Sequence, residues 1–147
     1  MRKGFTLLTA IIIMITIATL MGLMISLSTT GVKSTTDIYL KEQANLLTRS
    51  ATEYALLAIS GHDNTQNCVE HIHIDYPDAT APTHEANVTL WYMGRNLPAA
   101  CHHILANDIN RTESNLTAIV DVKVWVNRAN TGITEPIVIH RRTIQKP

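Results

Sequence analysis

The pattern of hydrophobic and polar residues changes twice along this chain, from an unbroken apolar run to a helical period and then to a period of two. Residues 4–32 contain no Asp, Glu, Lys or Arg and are filled by Ile, Leu, Met, Ala, Thr and Gly. A helix rising about 1.5 Å per residue carries residues 5–27 through roughly 34 Å, enough to cross a hydrocarbon core of about 30 Å. Over 34–60 the apolar positions thin to Leu40, Ala44, Leu47, Ala51, Tyr54 and Ala58, at helical spacing. Lys41, Glu42, Asn45, Thr48, Arg49, Thr52 and Glu53 fall on other faces. The first proline is Pro77, so one helix can run from Phe5 to Ser60 and stop at Gly61 as its C-cap.

Beyond Gly61 the period changes to two. Ile72, Ile74 and Tyr76 alternate with His71, His73 and Asp75, and Val88, Leu90 and Tyr92 alternate with Thr89, Trp91 and Met93. The clearest strand sets Val120, Val122, Val124 and Val126 on one face and Asp121, Lys123 and Trp125 on the other, which predicts a central strand. A loop with Asn130 and Gly132 leads to a last strand over 137–143, completing an antiparallel hairpin. The valine face needs a cover, and the stripe of residues 40–58 is the only long helical face on offer. The predicted fold class is therefore α+β, a long N-terminal helix packed on a small antiparallel sheet. Residues 94–117 carry no comparable pattern.

Composition adds compartment and excludes some functions. At 147 residues there is room for one ordinary domain beside the apolar segment. Twelve basic and twelve acidic residues cancel, so net charge supplies no reason for a nucleic-acid partner. His140, Arg141, Arg142 and Lys146 form the one basic cluster, read either as a DNA-binding tip or as a solvated strand end. The apolar segment exceeds the 7–15 residues of a secretory signal and lacks an A-x-A-like cleavage site. Arg2 and Lys3 before it, with no cation until Lys33, predict a cytoplasmic N-terminus and an exported remainder beyond about Ser28. The only cysteines, Cys68 and Cys101, fall in that remainder, where oxidation is permitted; they are expected to pair, the alternative being two buried thiols.

Three sites of possible chemistry stand out. His71 and His73 share a strand face and His102-His103 follow Cys101, but no third ligand stands at a diagnostic interval, so surface or structural histidines and no metal are expected. Asp75 and Asp78 flank Tyr76-Pro77 and read as an Asx turn ahead of a calcium loop. Asn-x-Thr sequons occur at Asn87, Asn110 and Asn115, each with an acidic residue two positions earlier: Glu85, Asp108 and Glu113. That pattern resembles the extended acceptor of bacterial oligosaccharyltransferases and raises N-glycosylation against plain polar loop composition. No nucleophile triad, phosphate-binding loop or zinc-helix motif is present, so neither catalysis nor a cofactor is expected.

The opening Arg2-Lys3-Gly4-Phe5-Thr6-Leu7-Leu8, followed by its long apolar run, resembles the class III leader of type IV pilins and pseudopilins. The resemblance implies a leader over 1–4, cut after Gly4 by prepilin peptidase with methylation of Phe5. It also implies a transmembrane half-helix over 5–30, a periplasmic amphipathic half over 31–61, and a periplasmic sheet domain over 62–147. Its implied role is a minor pilin or pseudopilin of a secretion, pilus or competence filament. The implied partners are other pilin or pseudopilin subunits, prepilin peptidase, an inner-membrane assembly platform and membrane lipid. One position departs from the family: Thr9 stands where a glutamate is usual. Its absence fits a subunit at the filament tip, a tolerated change, or a protein that never enters a filament. The alternative class is a membrane-tethered periplasmic binding or sensory module.

Overall fold

The computed structural model describes residues 2–109, 116–133 and 135–147. It forms two compact units, Met1–Tyr39 and Leu40–Pro147. Helix α1 spans Arg2–Gly61. In the first unit, large apolar side chains such as Leu8, Met14, Leu20 and Leu27 are exposed, and the segment is long and apolar enough to cross a membrane. Its polar groups do not oppose this. The hydroxyls of Thr9, Thr16, Thr19, Thr29 and Thr30 each donate to a carbonyl three or four residues back, so none is left wanting in an apolar medium.

The second unit holds residues 40–61 of α1 and a sheet of β1 (His71–Tyr76), β2 (His84–Gly94), β3 (Ile104–Ala106), β4 (Leu116–Val126) and β5 (Val138–Gln145). The order is β1-β2-β4-β5, antiparallel throughout, which gives the α+β architecture expected of the pattern. β3 is the exception: it lies parallel to β2, against Tyr92 and Met93, just past the point where β1 ends its pairing at Thr89. The centre is shared by β2 and β4, paired in register over eleven residues each.

Period two dictates the core. Ala86, Val88, Leu90 and Tyr92 of β2 and Ala118, Val120, Val122 and Val124 of β4 point to one face and are buried. Leu40, Ala44, Thr48, Ala51, Thr52, Ala55 and Ile59 cover them from α1. Three alanines in that set let the helix backbone approach the sheet closely. Two expectations change here. Thr48 and Thr52 belong to the buried face, because each hydroxyl donates to a carbonyl one turn back, 2.7 and 2.9 Å away, and only the methyl then faces the core. Tyr54 and Tyr76 are exposed.

Helix α1 ends without a left-handed glycine. Gly61 remains helical and the Asn64 amide donates to the Ile59 carbonyl at 3.1 Å, capping the last turn from outside. A left-handed glycine stands instead at Gly132 (φ 69°), which closes the short turn α2 (Arg128–Thr131) between β4 and β5.

The segment with no sequence pattern is tied to the Cys68–Glu70 stretch, which is itself tied to β2. A disulfide joins Cys68 to Cys101, with Cα atoms 5.2 Å apart. The Glu70 carboxylate accepts from the backbone N–H groups of His102 and His103, and those bonds, the His102 one foremost, hold its carboxyl below the usual range despite partial burial. The Tyr92 hydroxyl donates to the Val69 carbonyl; burial, helped by the Glu70 charge, pushes the phenol up to about 12.

Candidate functional site

The sheet face opposite α1 carries the polar chemistry, and antiparallel register sets it out in rows. Asp75 pairs with Glu85, and Glu85 with Trp125. His73 pairs with Asn87, Asn87 with Lys123, and Lys123 with His140. His71 pairs with Thr89, Thr89 with Asp121, and Asp121 with Arg142. Residues far apart in sequence thus share one surface, with side chains directly opposite one another about 5 Å apart.

At the β1 corner, His73 is engaged through both ring nitrogens. Nδ1 lies 2.6 Å from Asn87 Oδ1 and Nε2 lies 3.0 Å from Asp75 Oδ1. Both neighbours can only accept there, so the ring donates twice. The Asn87 bond, then the Asp75 charge, hold the imidazolium above the usual histidine range against partial burial. Glu85 completes the corner: one donor atom each from His73, Asp75 and Glu85 lies within 4.8 Å of the others. The Asn127 amide donates to Glu85 Oε1 at 2.7 Å and so orients that carboxylate. The third candidate ligand, absent at any diagnostic sequence interval, comes from across the strand pair and has no sequence spacing to show it.

A second cluster surrounds Trp91. The His103 ring stacks on the indole, with centroids 4.5 Å apart and planes 15° from parallel, and His71 meets His103 edge-on at 4.8 Å. The third sits across β4 and β5, where Asp121 accepts from both His140 and Arg142. The basic C-terminal run is thereby split: Arg142 and His140 share an acidic partner, while Arg141 alternates to the other face of β5. Asp78 is consumed in a turn, accepting from the Thr80 and Ala81 amides at 2.8 and 3.1 Å, which is the Asx-turn reading. An open depression of about 570 Å³, lined by Lys123, Trp125, Arg128 and Val138 among others, borders this face.

Asp121 yields a pH test. Burial raises its pKa, but hydrogen bonds from Arg142 and His140 outweigh that and hold it low. A carboxyl with a folded-state pKa below its unfolded value, about 3.9, stabilises above that pH and stops doing so as pH falls through the folded value. Asp121→Asn is expected to remove about 1 kcal/mol at neutral pH and to flatten the stability loss below about pH 4, read from denaturation midpoints at several pH values.

The remaining sites are placed unevenly. Gly4 and Phe5 lie in α1, and Thr9, one turn on, is partly covered and donates its hydroxyl to the Thr6 carbonyl at 3.0 Å. The sequon at Asn87 sits in the middle of β2, its side chain already bonded to His73, a rigid setting for an acceptor that must be drawn into an enzyme. Asn110 and Asn115 lie outside the described residues. No protein family model matches the chain, and no curated protein or solved structure is significantly similar to it.

Proposed function

We propose that this chain is a type IV pilin-like subunit, a minor pilin or pseudopilin, that is processed after Gly4, anchored in the inner membrane by α1, and displays its sheet unit in the periplasm. The observation that carries the reading is the pairing of the Arg2-Lys3-Gly4-Phe5 sequence with the helix that follows it. Residues 4–32 are free of charge, expose large apolar side chains from Leu7 onward, and bond threonine hydroxyls back to the helix. Residues 40–61 of the same element have a different face, buried on an antiparallel sheet. An apolar exposed segment of this length is stable only in lipid or against other helices, and a filament of such helices supplies both in turn.

In this reading the role is structural and not enzymatic. Helix packing through residues 5–30 joins the subunit to other pilin or pseudopilin subunits, and the assembly platform moves it between membrane and filament. The sheet unit supplies lateral contacts and external recognition. Thr9 brings no carboxylate to neutralise a neighbour's N-terminal amine, which suits a subunit with a free side, as at a tip.

The test is the N-terminal sequence and intact mass of the protein from its own membrane, with and without prepilin peptidase. Cleavage after Gly4 with a methylated Phe5, lost in the peptidase-deficient strain, is the expected result. An intact Met1, or a cut near Ser28, overturns the proposal and leaves a tethered or secreted module.

A further inference from the structure

We propose that His73, Asp75 and Glu85 bind one divalent transition-metal ion of the zinc class on the outer face of the sheet. The site is independent of any filament role.

The backbone places it. Asp75 opposes Glu85, and the neighbouring pair on the same face is His73 opposite Asn87. Three donor groups therefore stand together on two paired strands, where the main chain cannot spread them, and Asn87 Oδ1 steadies the His73 ring from its Nδ1 side. Two carboxylates directly opposite one another repel, and such a pair is stabilised by a cation between them. In the structure His73 Nε2 lies against that pair, 3.0 Å from Asp75 Oδ1. A metal ion would replace the Nε2 proton and meet both carboxylates at once.

The distances allow it. Zinc takes nitrogen and oxygen at about 2.0–2.2 Å in tetrahedral geometry, so neighbouring donors stand about 3.3–3.6 Å apart. The three donor atoms already lie within 4.8 Å of one another, so side-chain torsions need to draw them together by at most about 1.5 Å. Glu85 also has the outer support that metal-binding carboxylates use, since Asn127 fixes Oε1 and leaves the second oxygen for an ion. One imidazole with oxygen donors and no thiolate favours a zinc-like ion over copper(I), and over calcium, for which the imidazole contributes nothing. The His73 side chain is 51% exposed, so the ion has an open approach.

The experiment uses the full chain in detergent, freed of metal with a chelator, titrated calorimetrically with zinc chloride and in parallel with calcium chloride. One equivalent of Zn²⁺ is expected, with affinity falling roughly tenfold or more in both His73→Gln and Glu85→Gln. His102→Gln, which alters an exposed histidine beside Glu70, should leave the titration unchanged. Circular dichroism of each variant confirms folding, and two ligand variants on different strands guard against either one failing. No saturable Zn²⁺ binding, binding unmoved by both substitutions, or Ca²⁺ binding with equal affinity in the wild type and His73→Gln overturns the site.

Discussion

Replacing Cys68 and Cys101 together with serine is expected to lower the stability of the sheet unit by about 3.5–4 kcal/mol. The cross-link closes a loop with a sequence separation of 33, and loop-closure entropy of the unfolded chain sets that magnitude. The loss is a large share of what a domain of this size possesses. Trp91 and Trp125 both lie on the sheet, so denaturant unfolding followed by their fluorescence reports on this unit and not on residues 1–39. The midpoint should fall sharply with the denaturant slope little changed. A shift below about 1 kcal/mol would mean that the Glu70 carboxylate holds His102 and His103 unaided, and that the unfolded chain is already compact there.

His84→Ala is expected to cost about 3 kcal/mol, more than any surface substitution proposed above. The His84 side chain is fully buried at the start of β2, and its Nε2 lies 3.0 Å from the Leu40 carbonyl in α1. That carbonyl can only accept, so Nε2 carries the proton and donates, while the Thr83 hydroxyl lies 2.9 Å from Nδ1. The ring is thus a polar bolt between helix and sheet at the point where α1 begins to be covered. Removing it opens a ring-sized cavity and takes a donor from the Leu40 carbonyl, while the Thr83 hydroxyl keeps the Tyr76 carbonyl 3.2 Å away. His84→Gln, which can still donate toward Leu40, should recover part of the loss, whereas a purely volumetric role predicts that His84→Leu recovers more. Midpoints of the three variants, followed by tryptophan fluorescence, decide between bond and bulk.

Much of this fold is legible in the chain because one physical signal dominates each part. A charge-free run can only be a long apolar helix, and four valines at period two can only be one face of a covered strand. What was hidden depends on partners distant in sequence. Thr48 and Thr52 read as polar by type, yet their hydroxyls are satisfied within the helix and their methyls pack like small aliphatics. β3 is three residues long and is aligned by the disulfide and Glu70, not by periodicity. His84 resembles any histidine near a turn; its burial follows from falling in register with Ala86 and Val88. The His73 corner was visible only by half, since His73 and Asp75 are two apart whereas Glu85 arrives through the pairing of β1 with β2. The signal that could have found it is the acidic residue before the Asn87 sequon, which sits one alternation from Asn87 and therefore on the same face.

The position of β5 at one end of the strand order has a consequence for how the molecule behaves when crowded. An edge strand offers open backbone donors and acceptors to any passing chain, and an eight-residue edge is long enough to template another. Here its middle reads His140-Arg141-Arg142. Two copies aligning these edges antiparallel about that centre would bring arginine against arginine along the new seam, with Asp121 already committed to its own strand pair. Such a border deters sheet-to-sheet fusion at high local concentration.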